Sequence, residues 1–122
     1  MGKTVLISGA TAGIGRATAL LLAKNSYDLI LTGRRKRRLN ELKKQVMSES
    51  PSRVKILDFD VRNYSEVCRA IDSLPAFCKK IDVLINNAGL ASGLDPIQEG
   101  GIDDWEKMID TNIKGLLYLT RK

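Results

Sequence analysis

The chain contains no histidine among its 122 residues, and it has only two cysteines, three prolines and one tryptophan. Cys68 and Cys78 are not at a metal-ligand spacing, and no histidine is present to complete a site with them. We interpret both cysteines as free thiols and predict no metal centre.

Long apolar runs are also missing. The longest strongly apolar run, residues 19–23, is far shorter than the roughly 18 residues that a membrane span requires. The amino terminus has no signal-peptide layout, and Leu6 stands where a myristoylation site needs Ser or Thr. We therefore expect a cytoplasmic protein without membrane attachment. With 43% hydrophobic and 28% charged residues, the composition is typical of one globular domain over residues 1–122.

Short apolar runs alternate with segments of helical periodicity. Strands are predicted over residues 4–8, 29–32, 54–59 and 83–85, and helices over 14–25, from about 39 to 50, after Asn63, and over 103–120. Parallel strands need crossovers of this length, so the pattern predicts an α/β fold: a Rossmann-type, doubly wound parallel sheet in three layers, truncated after about four strands. Ligands of such sheets bind at the carboxyl ends of the strands.

A glycine-rich turn follows the first predicted strand and opens the first helix. Gly9, Gly13 and Gly15 have the spacing G-x-x-x-G-x-G. The backbone amides at such a helix start can bind a diphosphate, and the glycines allow it to approach closely. The alternative is a plain turn in which Gly15 only lets the helix pack against the sheet. The strand before and the helix after favour phosphate binding.

A basic run, Arg34 to Arg38, follows the second strand and concentrates the net charge of +6. A chain that selects NAD usually has an acid at this point, to bind the ribose 2′-hydroxyl, and none is present. Arg34 and Arg35 can instead pair with a 2′-phosphate. A solvated basic face remains an alternative, above all for Arg37 and Arg38.

Several polar residues stand beside apolar segments. Asp60 ends the third strand and could cap the next segment or accept a hydrogen bond from adenine. Asn86 and Asn87 end the fourth strand, where they could pin neighbouring loops or contact a cofactor. Asn112 lies within an apolar stripe of the last helix that is expected to face the core, so its amide needs a partner, either structural or functional.

Together these motifs resemble those of the short-chain dehydrogenases/reductases, in the same order along the whole chain: Ser8 to Gly15, Asp60-Val61, Asn86-Asn87-Ala88-Gly89 and Asn112. A narrower similarity is to the NADP-dependent serine and 3-hydroxy acid dehydrogenases of that family. It rests on Gly33-Arg34-Arg35, on Asp60-Val61-Arg62-Asn63 and on residues 104–116.

The resemblance implies a role for each matching residue. It assigns the diphosphate to Gly9, Gly13, Ile14 and Gly15, with Thr11 and Ala12 in the same loop; the 2′-phosphate to Arg34 and Arg35; adenine to Asp60 and Val61; and the adenine-side ribose to Asn87, Ala88 and Gly89. It makes Asn112 the asparagine of the catalytic tetrad, which holds a water in a proton relay. The implied cofactor is NADP, and the implied substrate is a small hydroxy acid or related alcohol.

The sequence departs from the family's pattern in one respect. The family's serine and Tyr-x-x-x-Lys pair follow the helix of Asn112, and they do not stand in these 122 residues; Tyr118 and Lys122 have the spacing but lie on that same helix. We therefore expect negligible turnover by this chain alone, because general acid–base catalysis is worth about 10²- to 10⁴-fold. We also expect a homo-oligomer, formed through the last helix or an open strand edge.

Two other function classes are compatible with parts of the sequence. A non-enzymatic NADP-binding protein would share every cofactor motif. A nucleic-acid binder could use the run from Arg34 to Arg38, but no reading helix or stacking platform supports it, and we expect no nucleic-acid partner.

Overall fold

The computed structural model describes residues 3–11, 13–76, 80–87 and 100–121. Within them, four parallel strands form one sheet in the order β3-β2-β1-β4. The strands are β1 (Thr4–Ile7), β2 (Asp28–Gly33), β3 (Val54–Asp58) and β4 (Val83–Ile85). The helices are α1 (Gly13–Lys24), α2 (Lys36–Glu49), α3 (Tyr64–Asp72), α4 (Ile102–Ile109) and α5 (Leu116–Arg121), and a π-helical segment, Asp110–Gly115, joins the last two.

The two faces of the sheet have separate apolar cores, because successive strand residues point to opposite sides. Residues of α1 and α2 pack on one face against Val5, Ile7, Leu29 and Leu31. Residues of α3 and α5 pack on the other against Leu6, Ile30 and Leu57. The predicted three-layer, doubly wound α/β fold is confirmed.

Strand β1 lies inside the sheet and is buried along its whole length. It pairs in register with β2 on one side and with β4 on the other, and all four of its residues are buried. The continuous apolar run of this strand reflects burial on both faces. The glycine-rich turn therefore begins at the end of a fully buried strand.

Local signals set several helix ends. The side chain of Asn63 accepts a hydrogen bond from the Glu66 amide at 3.2 Å, as its predicted capping position requires. Helix α1 ends in a turn in which the Tyr27 amide bonds the Leu22 carbonyl at 3.2 Å, and Ser26 adopts a left-handed conformation with φ of 67°. Glycine is the usual residue at that position.

The last predicted helix differs from expectation in two ways. The helix is not uniformly α-helical, since the π-helical segment interrupts it. The apolar stripe that was expected to face the core is instead half exposed: Ile109, Ile113 and Leu117 are 48%, 55% and 58% exposed, and Asn112 is exposed as well. Gly115 and Leu119 are the buried residues of this stretch.

The packing of Gly115 explains which face is buried. A Cβ built on Gly115 would lie 2.6 Å from Cγ2 of Val61, so only a residue without a side chain permits this approach. The helix therefore docks through its smallest residue rather than through its widest apolar stripe. Periodicity identifies an apolar face, but it does not identify the surface that covers the face.

None of the helices in the described ranges combines the length and the apolar character needed to cross a membrane.

Candidate functional site

The glycine-rich turn has the backbone that its spacing predicts. Gly9 and Gly13 adopt positive φ values of 64° and 58°. Gly15, the first buried residue of α1, lies against the turn itself: a Cβ on it would collide with the Gly9 carbonyl and would lie 2.5 Å from Nδ2 of Asn87. Gly15 thus has a packing role, against the turn and Asn87, and Gly9 and Gly13 supply left-handed conformations that residues with a side chain adopt only with strain.

Among the described residues, none fills the space beside Gly13 in the turn. A Cβ on Gly13 would meet no atom within 4 Å, and the neighbouring Ile14 is 78% exposed although it is a large apolar residue. The first amides of α1 have no intrahelical acceptor, because every α-helix begins with such groups. The turn therefore combines free approach with amide donors and one apolar side chain, and these features fit a diphosphate with its attached ribose.

Asn87 holds the turn to the end of β4. Its Nδ2 donates to the Gly9 carbonyl at 3.1 Å, and its backbone amide donates to Oγ of Ser8 at 3.0 Å. Asn86, its neighbour, donates from Nδ2 to Oγ1 of Thr120 at 3.0 Å. Asn87 therefore makes the loop contacts that were one of its two alternatives, whereas Asn86 bonds helix α5. Ala12, Ala88 and Gly89 lie outside the described residues.

The strand-end arginines lie at the carboxyl edge of β2. Arg34 follows β2 directly and its side chain is 55% exposed, while Arg35 is the N-cap residue of α2 and is exposed. Arg35 makes no side-chain capping bond, and the first turn of α2 contains no acid. Three cations, Lys36 to Arg38, thus lie at the positive end of the helix dipole, an arrangement that an anion would stabilise.

A cavity of about 370 Å³ opens between α1 and α2. The cavity is lined by Thr11, which is a predicted cofactor residue, and by Arg38, which the sequence analysis also allowed to be part of a solvated basic face. The other lining residues are Arg16, Glu41, Leu42 and Gln45. Thr11 also lies beside Gly33, since a Cβ there would come within 3.1 Å of Thr11 Cγ2. Sequence reasoning missed Arg16, which directly follows Gly15 and bonds Gln45.

Asp60 combines a capping role with an ion pair. Its Oδ1 accepts from the Arg62 amide at 2.9 Å, and the Arg62 guanidinium contacts both carboxylate oxygens, with Nη2 at 2.7 Å from Oδ2. The hydrogen bond from the Arg62 side chain is the main reason that the pKa of Asp60 lies below its ordinary value, although partial burial raises it. Asp60 is therefore a carboxylate over the physiological range of pH.

Val61 and Asn112 are connected through the π-helical segment. Val61 is buried at 8% exposure and packs against Gly115, the last residue of the segment that contains Asn112. Asp110, its first residue, lines a cavity of about 460 Å³ together with Asp60 and Arg62. The structure thus brings the predicted adenine residues next to the element of Asn112. A π-helical turn is uncommon and is often found at functional sites.

These residues form one edge of the sheet: the glycine turn after β1, the arginines after β2, Asp60 after β3 and Asn87 after β4. Among the described residues, no group of three acidic, histidine or cysteine side chains is arranged to hold a metal ion.

A family model described as short chain dehydrogenase matches residues 3–122. The chain belongs to the short-chain dehydrogenase family.

Individual relatives in this family are similar over almost all of the chain. The NADP-dependent 3-hydroxy acid dehydrogenase of Salmonella typhi is 48% identical over 117 residues, which are 96% of this chain and 46% of the relative. Sulfoacetaldehyde reductase 2 of Chromohalobacter salexigens is 46% identical over 120 residues, 98% of this chain and 47% of the relative. The chain spans about half the length of these relatives.

The fold is that of solved short-chain dehydrogenases. The closed form of a serine dehydrogenase complexed with NADP⁺ superposes with a TM-score of 0.90 at 44% identity, over 97% of this chain and 46% of that one. Both the resemblance inferred from the motifs and the predicted Rossmann-type fold are confirmed.

Proposed function

We propose that this chain is the NADP-binding domain, residues 1–122, of an oxidoreductase that interconverts a small hydroxy acid or related alcohol and its carbonyl form. The observation that carries the proposal is Arg34, which lies exposed at the end of β2 where a chain selecting NAD would have an acid. Names of relatives support it, since one is an NADP-dependent dehydrogenase and one structure contains NADP⁺.

Each binding residue has a distinct task in this proposal. The amides that open α1 bind the diphosphate, and Gly13 leaves room for it. Arg34 and Arg35 pair with the 2′-phosphate, because a planar guanidinium fits phosphate oxygens. Asp60 and Val61 border the adenine, and Asn87, with Ala88 and Gly89 beyond it in the sequence, borders the adenine-side ribose.

NADP, when bound, supplies the nicotinamide that gives or accepts a hydride. The contribution of this chain to catalysis is Asn112, which we propose holds a water of the proton relay; the residue lies on the π-helical segment and is exposed. We also propose that the chain alone turns over negligibly, since the serine and Tyr-x-x-x-Lys pair do not stand in its sequence after Asn112. Sequencing the gene beyond codon 122 distinguishes the two alternatives. A reading frame that encodes the serine and the Tyr-x-x-x-Lys pair indicates an enzyme, and one that lacks them indicates a non-enzymatic NADP-binding protein.

Calorimetric titration with NADP and NAD tests the cofactor. We expect tighter binding of NADP, and Arg34→Ala should remove most of the difference while leaving NAD affinity nearly unchanged. Arg37→Ala is the matched control, because it removes the same charge from a side chain that is 93% exposed and paired with Glu41 at 3.4 Å. Equal affinities for the two cofactors, or a preference untouched by Arg34→Ala, would refute the proposal. Equal losses in both variants would indicate a diffuse basic surface instead of a site.

A further inference from the structure

Two arginines share one carboxylate at the edge of the predicted cofactor site. Oδ2 of Asp60 lies 2.7 Å from Nη2 of Arg62 and 4.0 Å from Nη1 of Arg34. The side chains of Asp60 and Arg62 are 25% and 30% exposed, whereas that of Arg34 is 55% exposed. The three groups therefore form a row that runs from a partly buried end to an open end, with Arg34 outermost.

The two ion pairs differ in kind. Arg62 donates from Nε to both carboxylate oxygens, at 3.1 and 3.0 Å, in addition to its Nη2 bond and its backbone bond. Arg34 stands at the limit of ion-pair distance, and no hydrogen bond between it and Asp60 is formed at that range. Arg62 thus satisfies the carboxylate, and Asp60 forms no hydrogen bond that would occupy the guanidinium donors of Arg34.

The charge balance depends on Arg62. Two guanidinium groups and one carboxylate leave one positive charge in the row. Without Arg62, Asp60 and Arg34 would be left as one opposite-charge pair with no net charge. A 2′-phosphate would then have to compete with a carboxylate for Arg34, and the carboxylate is tethered only two residues from Arg62 and already adjacent to Arg34.

The causes of the lowered pKa of Asp60 also identify Arg62 as its stronger partner and Arg34 as its weaker one. The hydrogen bond from Arg62 is the largest cause of the lowered pKa of Asp60, and the charge of Arg34 is the smallest. The hydrogen bond to Asp60 is likewise the largest cause of the raised pKa of Arg62, and the charge of Asp110 is the smallest. Asp60 is therefore the main partner of Arg62, and Arg34 lies next to a carboxylate that is already paired.

We propose that Arg62 is a positioning residue for cofactor specificity: by binding Asp60, it keeps Arg34 available for the 2′-phosphate and so favours NADP over NAD. It acts through Asp60 and not by contact with the cofactor. This inference rests on the proposed function, because it presupposes that Arg34 binds the 2′-phosphate. Arg62 and Arg34 are far apart in the sequence, so their link through Asp60 is visible only in the structure.

The test is a set of calorimetric titrations of the full-length protein with NADP and with NAD. For Arg62→Gln we expect the NADP dissociation constant to rise about five- to twentyfold, less than the loss of a whole charge-assisted contact would cause because Arg34 is still present, and the NAD constant to change less than about twofold. Arg62→Lys should keep most of the preference, because it retains the charge beside Asp60. Arg69→Gln, the same change on the exposed part of α3, should leave both constants unchanged.

A second variant separates this role from a purely structural one. Asp60→Asn in the Arg62→Gln background removes the competing charge, so the ratio of NADP to NAD affinity should return to near that of the unmodified protein. A role of Arg62 in holding the turn would predict no such recovery. The ratio is the decisive quantity, because any contact of Asp60 with adenine affects both cofactors alike.

The outcomes distinguish the inference from the function on which it rests. An unchanged ratio in Arg62→Gln, with the preference lost in Arg34→Ala, overturns the inference and leaves the proposed function intact. Failure of Asp60→Asn to restore the ratio also overturns it. If the unmodified protein shows no preference for NADP, the proposed function and the inference both fall. Should Arg62→Gln not fold, Asp60→Asn alone must show an equal or greater preference for NADP.

Discussion

Gly13 and Gly15 lie two residues apart in the same turn, and the structure predicts that alanine is tolerated differently at each. A Cβ on Gly15 would collide with the carbonyl of Gly9 and approach Nδ2 of Asn87, the two groups joined by a 3.1 Å hydrogen bond. A Cβ on Gly13 would meet no atom of the described residues within 4 Å, but a φ of 58° is costly for a residue with a side chain.

The expected loss of stability is larger at Gly15. Forcing a methyl against backbone that cannot move freely costs about 3 kcal/mol, and the broken hydrogen bond about 1 kcal/mol more. The gain in helix propensity from Gly to Ala returns about 1 kcal/mol, so Gly15→Ala should cost about 3 kcal/mol. Gly13→Ala should cost about 1 kcal/mol, since left-handed strain of about 1–2 kcal/mol is offset in part by the stiffer unfolded chain.

Thermal unfolding monitored by circular dichroism measures both losses. At about 4 °C per kcal/mol for a chain of this length, Gly15→Ala should lower Tm by about 12 °C and Gly13→Ala by about 4 °C. NADP affinity should show the opposite order at a temperature where both variants are folded, because the methyl on Gly13 enters the space proposed for the diphosphate. Equal losses of Tm, or a larger loss of NADP affinity in folded Gly15→Ala, would refute the reasoning.

Four further predictions concern other parts of the molecule. Ser26→Gly should raise stability by about 0.5–1 kcal/mol in a denaturant titration, because glycine adopts φ of 67° without strain, and Ser26→Ala should not. Thr32→Val should be neutral or stabilising by up to about 2 kcal/mol, since Thr32 is 1% exposed and its buried hydroxyl has no partner among the described residues; a clear destabilisation would show that the hydroxyl is bonded. Because the pKa of Asp60 is lowered in the folded state, its ion pair contributes stability above the ordinary aspartate pKa of about 4, and this contribution is lost as the pH falls through the folded-state pKa. Arg62→Gln should therefore make the free energy of unfolding depend less on pH below about pH 4, as acid titration of denaturant stability would show. Light scattering should reveal self-association, as the half-exposed Ile109 and Ile113 favour, whereas a monodisperse monomer would contradict it.

Most of the fold could be predicted because its elements have strong local signals. Strands such as β1 are continuous apolar runs that end at glycine, and the start of α3 is marked by Asn63 followed by Glu66 three residues later. Predicted and observed strand ends differ by a residue or so. The carboxyl-edge location of the site residues then follows from the parallel order of the strands.

The remainder depends on contacts between distant segments. The face that the last helix buries is decided by Gly115 against Val61, 54 residues earlier, and not by the helix's own apolar stripe. The π-helical turn has no pattern of residues that distinguishes it from an α-helix. The row of Arg34, Asp60 and Arg62 joins the ends of two neighbouring strands, so only its Asp60–Arg62 half has a local signal, an aspartate two residues before an arginine.

The burial of β1 between two hydrogen-bonded neighbours determines how fast its backbone amides exchange with solvent. Amides of Val5, Leu6 and Ile7 lie in the centre of the sheet, where exchange with solvent deuterium requires the whole molecule to unfold. The glycine turn begins two residues after this strand, so a nucleotide bound there is lost in the same event. At a nucleotide concentration 100 times its dissociation constant, exchange at these three amides should slow by about a hundredfold. Their exchange rates therefore report how much of the protein has nucleotide bound.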